Sequence, residues 1–175
     1  LALITREPMG VIGVIVPWNY PMIMAAWKLG PALATGNSVV LKPSEKSPYT
    51  ALRLAELALE AGLPPGVFNV VPGYGGEAGE ALALHMDVDA IGFTGSTRVG
   101  KLLMDGASKT VTRLSLELGG KAPVLIFPDV DLEQVVAGAA AAKFRNGGQV
   151  CVSPQRFLVS KAAAPEFTER IAAVA

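Results

Sequence analysis

Cysteine and histidine are almost missing from this chain. Its 175 residues hold one of each, Cys151 and His85. A single cysteine excludes an intrachain disulfide, and one Cys with one His is too few for a zinc site, so no metal centre is expected. An excess of either charge is missing as well. Fifteen basic and fifteen acidic side chains cancel, which removes the electrostatic footprint a nucleic-acid partner would need. Charged residues make up only 17% and aromatics 6%, whereas 51% of the chain is hydrophobic. That composition supports a large core and excludes a disordered chain.

An unbroken apolar span is also missing. The most apolar stretch, Val11 to Gly36, is interrupted by Pro17, Asn19, Pro21, Lys28 and Pro31, so no membrane-spanning helix is expected. The first ten residues, LALITREPMG, place Arg6 and Glu7 after the first apolar residues, which is not a signal-peptide layout. A reducing, cytoplasmic setting fits the lone cysteine. The sequence does not begin with Met and stops within a helical pattern, so a piece of a longer protein, cut at both ends, is expected.

Short apolar runs alternate with longer helical patterns. Strands are predicted at 10–17, 38–43, 67–73, 90–95 and 111–119. Helices are predicted at 20–36, 47–62, 75–86 and 96–109. The clearest helix has Ser47 as N-cap, Pro48 at its first position and Gly62 just past its end. Nearly uniform apolar strands are those covered by helices on both faces, so the pattern predicts a doubly wound, mostly parallel α/β sheet with right-handed crossovers. After Gly120 the pattern changes. A strand at 123–128, an Ala-rich helix at 131–148 with Asp131 as N-cap, a loop holding Cys151, and a strand at 156–160 read as the first part of a second α/β domain. The expected division is 1–120 and 121–175.

In open α/β sheets ligands sit at the carboxyl ends of the strands. PWN (17–19), KPSE (42–45), PGYG (72–75), TGSTRVG (94–100) and ELGGK (117–121) all fall at such ends. The glycine-rich turn into the 96–109 helix offers backbone amides for phosphate, or is an ordinary turn with a Ser cap. Lys42 and Glu45 can hydrogen-bond ribose hydroxyls, or are a solvated strand end. Glu117 is a base candidate or an exposed end residue. Asn19 can donate its amide to an oxyanion, or is a turn residue. His85 reads as a surface residue at a helix end. Cys151, in NGGQVC, is a small buried hydrophobe or a nucleophile.

The series PWNYP, KPSEKSP, GLPPGVFNVVPG, GFTGSTRVG, LELGGKAP and FRNGGQVC, in this order and spacing, resembles the aldehyde dehydrogenase superfamily. The resemblance covers nearly the whole chain, and LELGGK with GQVC is its most specific part. It implies a Rossmann-like cofactor domain followed by the start of a catalytic domain. It also implies oxidation of an aldehyde to a carboxylate with NAD, or alternatively NADP, through a cysteine thiohemiacetal and a thioester.

Residue by residue, the resemblance assigns Cys151 as nucleophile, Glu117 as general base and Asn19 as oxyanion donor. Lys42 and Glu45, with Ser44 between them, fall where the adenosine ribose is held. Val16, Pro17, Trp18 and Asn19 line the same cleft. Gly75, Gly79, Phe93, Thr94, Gly95, Ser96, Val99, Glu117 and Leu118 complete the cofactor contacts. The implied partners are a small-molecule aldehyde and copies of the full-length protein in a homodimer or homotetramer. The chain alone is expected to have little dehydrogenase activity. Two other readings stay open. One is a CoA-acylating relative, against which Glu117 argues because that reaction needs no water-activating base. The other is a nucleotide-binding chain without catalysis.

Overall fold

Parallel strands need long crossovers, and this chain supplies helices between its strands. The computed structural model describes residues 1–175. They form two units, Leu1–Leu118 and Gly119–Ala175. In the first, β1 (Val11–Ile15), β2 (Ser38–Lys42), β3 (Phe68–Val70), β4 (Ala90–Gly95) and β5 (Arg113–Leu118) make one sheet in the order β3-β2-β1-β4-β5. Every pairing is parallel. The chain moves outward from β1 to β3 on one side, then crosses back and places β4 on the other flank of β1. The switch point of this doubly wound sheet therefore lies between β1 and β4.

Successive residues of a strand face opposite sides, and both sides are buried here. Val14, Val39 and Leu41 pack with Ala25 and Leu29 of α1 (Pro21–Ala34), Ala51 of α2 (Tyr49–Glu60) and Phe68. Ile15, Ile91 and Phe93 pack on the other face with Ala83 of α3 (Glu80–Ala83) and Leu103 of α4 (Thr97–Thr110). Each such buried aliphatic side chain is worth about 1.5–3 kcal/mol. The uniform apolar runs of the inner strands have this cause. β5 differs: Leu114, Leu116 and Leu118 pack inward, while Arg113, Ser115 and Glu117 are exposed on an edge strand.

Some helix ends follow the sequence and others depart from it. At the end of α1, Gly36 N–H bonds Leu33 O and Asn37 N–H bonds Ala32 O, with Gly36 at φ 82°. This Schellman closure needs a left-handed residue, which glycine adopts without Cβ strain. α2 ends the same way, through Gly62 to Leu59 O and Leu63 to Ala58 O. Ser47 is not a cap. α2 begins at Tyr49 with Pro48 before it, and the Ser47 hydroxyl instead donates to the Trp18 carbonyl at 3.2 Å. The 75–86 segment is shorter and less regular than predicted, a π-helical turn at Gly75–Gly79 leading into α3. Pro31 lies inside α1, which runs only one further turn to Ala34. No helix is long and apolar enough to cross a membrane.

The second unit is a single β-α-β crossover with a further helix. β6 (Pro123–Ile126) and β7 (Arg156–Val159) pair in parallel. α5 (Leu132–Phe144) and α6 (Ala164–Ala173) follow them in turn. Ile126, Val136, Ala139 and Phe167 form its core, with Phe157 and Phe167 rings 5.5 Å apart. Asp131 caps α5, its Oδ1 accepting from the Glu133 and Gln134 amides. α5 stops at Phe144 and not at 148, because Asn146 and Gly147 take left-handed conformations.

Candidate active site

The register of the sheet brings the motif residues to one edge. Ile15 pairs with Lys42 on one side and with Phe93 on the other. Thr94 pairs with Glu117 and Gly95 with Leu118. Val16 N–H extends the ladder to Lys42 O. Val16, Lys42, Thr94, Gly95, Glu117 and Leu118 thus stand in one row at the carboxyl ends of β1, β2, β4 and β5. Pro17, Trp18 and Asn19 make the turn from β1 into α1. Ser44 and Glu45 make the turn from β2 toward α2.

Those two turns are tied together. Besides the Ser47 bond to Trp18, the Lys46 ammonium lies 5.7 Å from the Trp18 ring centroid, within cation–π range. Lys42 is almost fully buried, and its Nζ donates to Pro43 O at 2.8 Å. Its Nζ is also 3.7 Å from a Glu45 carboxylate oxygen. Burial holds the Lys42 pKa below the ordinary lysine value, and the Glu45 charge opposes that shift. A cation and a carboxylate at the end of β2 can donate to and accept from vicinal hydroxyls. Gly79 borders the same lysine: a Cβ there would be 3.7 Å from Lys42 Cδ.

At the switch point, Ser96 caps α4, accepting from Val99 N–H at 3.3 Å. Gly100 N–H takes the Ser96 carbonyl, so the Thr97 and Arg98 amides precede the first intrahelical bond. A helix amino end of this kind favours anions. Phe93 and Thr94 are buried beside it. The first β–α turn carries no glycine, so the phosphate-binding fingerprint of ordinary dinucleotide domains is missing here. Gly75 is exposed in the turn before α3.

Glu117 is exposed within its unit, and one further residue faces it. Lys28 of α1 lies across β4, where a Cβ on Gly92 would come within 3.3 Å of its Cδ. Burial lowers the Lys28 pKa and the Glu117 charge raises it, burial being the larger cause. Sequence reasoning treated Lys28 only as an interruption in an apolar stretch. The available signal was a lone cation on an otherwise apolar helix.

In the second unit, Cys151 is exposed and its thiol is free. It occupies the corner of a tight turn, closed by Ser153 N–H to Val150 O at 3.0 Å. His85 is exposed in a turn outside all of these groupings. No three metal-ligating side chains cluster anywhere in the chain. Two open furrows of the first unit lie at its amino edge, where Glu7, Pro8, Met9, Asp89 and Arg113 line one and Thr35 and Asn37 join another. They lie far along the strands from the motif row, and the candidate site is the carboxyl edge because the motif residues gather there.

A five-stranded parallel sheet in this order, with a Lys–Glu pair ending β2 and a capped helix amino end after β4, defines a doubly wound α/β domain whose polar groups gather at its carboxyl edge. The chain belongs to the Aldehyde dehydrogenase family, whose sequence pattern matches residues 1–175. The NADP/NAD-dependent aldehyde dehydrogenase PuuC of Escherichia coli K12 is 58% identical over 169 residues, covering 95% of this chain and 34% of PuuC. The structure of the aldehyde dehydrogenase KauB from Pseudomonas aeruginosa superposes with a TM-score of 0.94 at 55% identity, covering 97% of this chain and 35% of KauB. An indole-3-acetaldehyde dehydrogenase solved in complex with NAD+ gives the same TM-score, identity and coverage. The chain spans about a third of the length of the relatives it matches.

Proposed function

We propose that the chain supplies the cofactor domain (1–120) and the nucleophile-bearing start of the catalytic domain (121–175) of an NAD(P)-dependent aldehyde dehydrogenase. The whole protein oxidises an aldehyde to a carboxylate. The observation that carries this reading is the residue set: the only cysteine stands exposed at a turn corner, while Glu117 and Asn19 belong to the carboxyl edge of the dinucleotide domain. No other side chain of the chain combines exposure with thiolate chemistry.

The residues at the carboxyl edge fit a dinucleotide. Lys42, Ser44 and Glu45 hold the adenosine ribose. Val16, Pro17 and Trp18 form one wall, Gly79 leaves room beside Lys42, and the exposed Gly75 lies in the turn before α3. Phe93, Thr94, Gly95, Ser96 and Val99, with Leu118, bind its remaining length. When bound, the nicotinamide supplies the hydride acceptor.

The Cys151 thiolate adds to the aldehyde carbon, forming the C–S bond of a thiohemiacetal. The Asn19 amide and the Cys151 backbone N–H donate to its oxyanion. Loss of hydride from that carbon leaves a thioester on Cys151. Glu117 takes a proton from water, which attacks the thioester carbonyl; the C–S bond breaks and the thiolate is restored with release of the carboxylate. A cytoplasmic, reducing setting keeps the exposed thiol free. The working protein is a homodimer or homotetramer, and the chain alone has little activity.

Cys151→Ala in the full-length protein tests this reading. It should abolish aldehyde-dependent formation of reduced cofactor while leaving NAD affinity within about twofold. Turnover within a few-fold of wild type would sink the mechanism.

A further inference from the structure

The second unit holds a buried hydroxyl that the mechanism does not use. Ser153 is 1% exposed, two residues after the exposed Cys151. Burying a hydroxyl without a partner costs about 1–3 kcal/mol, so its partners carry information. Ser153 makes two bonds in two directions. Its backbone N–H donates to Val150 O at 3.0 Å, closing the turn whose corner is Cys151. Its side-chain Oγ donates to Lys143 O, also at 3.0 Å.

Lys143 lies in the last turn of α5, where helix carbonyls have no intrahelical donor. One serine therefore closes the cysteine turn and anchors that turn to a helix end. The surroundings leave the anchor little slack. A Cβ on Gly148, which has φ 74°, would come within 3.2 Å of the same Lys143 carbonyl. Lys143 Nζ bonds Gln155 Oε1 at 3.4 Å, and Gln155 N–H bonds Lys121 O at 3.0 Å. The chain after Cys151 is thus fastened to α5 and to the segment before β6, while Cys151 itself stays exposed.

We propose that Ser153 is a positioning residue for Cys151: the turn-closing amide and the Oγ bond to the α5 carboxyl end together fix where the thiol is presented. This inference rests on the reading of Cys151 as nucleophile. A reaction that must bring sulfur to within about 3–3.5 Å of an aldehyde carbon is sensitive to small displacements of the nucleophile. Capture of the thiol by a small, freely diffusing reagent carries no such demand.

The test compares Ser153→Ala and Ser153→Thr in the full-length protein. Three quantities are measured: the pre-steady-state burst of reduced cofactor, the second-order rate of Cys151 alkylation by iodoacetamide, and the NAD dissociation constant. For Ser153→Ala the burst rate should fall about tenfold or more, with alkylation within about threefold and NAD binding within about twofold. Ser153→Thr, which keeps the hydroxyl, should recover most of the burst. A Ser153→Ala burst within about twofold of wild type overturns the proposal. So does a parallel fall in alkylation or in NAD affinity, since the effect would then lie in the thiol or the fold. If the Thr variant does not fold, the Ala measurements decide alone. A Cys151→Ala protein run alongside separates the two ideas: persistence of its burst would remove the nucleophile reading itself.

Discussion

Lys42 Nζ stands 3.7 Å from the Glu45 carboxylate at the end of β2, with the lysine side chain 4% exposed and the glutamate 40% exposed. The buried cation is fixed, and the carboxylate beside it faces solvent. A ribose with two free hydroxyls can accept from the one and donate to the other. A 2′-phosphate would set about two negative charges against Glu45. NAD is therefore expected to be preferred over NADP, with Lys42 keeping the preference short of exclusion. The kcat/KM ratio for the two cofactors on one aldehyde should fall several-fold in Glu45→Gln. An unchanged ratio, or a wild type that favours NADP, removes Glu45 as the discriminating group.

Glu117→Gln in the full-length protein should slow hydrolysis of the thioester far more than its formation. Stopped-flow traces should show a burst of reduced cofactor close to wild type in rate, followed by a steady state slower by about two orders of magnitude. Equal loss in both phases would assign Glu117 to the first half-reaction.

Lys28 gives a pH prediction with a definite sign. Burial holds its folded pKa below the ordinary 10.5, and Glu117 only partly restores it. Between the folded value and 10.5 the unfolded chain binds more protons than the folded one. Stability from this group therefore rises with pH across that window, and the charged lysine costs stability below it. Lys28→Met should raise the thermal midpoint at neutral pH by roughly one to three degrees. The gain should shrink as pH approaches 10.5. Turnover should fall in the same variant, because Glu117 loses its facing cation. A lower midpoint at neutral pH would mean that the attraction to Glu117 outweighs burial.

Val111, between α4 and β5, is a β-branched residue at φ 57° and is 87% exposed. A left-handed conformation costs a residue of this kind about 1–2 kcal/mol, and little packing offsets it. Val111→Gly relieves that strain but loosens the unfolded chain by about 0.4–1 kcal/mol. A net gain of about 0.5–1 kcal/mol is expected, read as a higher urea midpoint with unchanged slope. A lower midpoint would show that Val111 packs usefully despite its exposure.

The order of strands and helices was legible in the residues, because buried parallel strands must be apolar on both faces and helices must carry a periodic stripe. Val39, Leu41, Ile91 and Phe93 announced themselves this way, and the motif residues fell at strand ends for the same reason. Asp131 and Ser96 were readable as caps because the capping bond is local. Ser47 had the same local signature, yet its hydroxyl turns to the Trp18 carbonyl, 29 positions away in sequence. Only the pairing of β1 with β2 brings those turns together. Sequence alone marked Glu117, Cys151 and Lys42 by residue type and motif. The fold decided that Thr94 stands opposite Glu117, that Lys28 crosses Gly92 to face it, and that Ser153 reaches the end of α5. Motifs are contiguous, so the chain itself carries them. Facing partners are set by strand register and helix packing, which arise only when distant segments bury their apolar faces together.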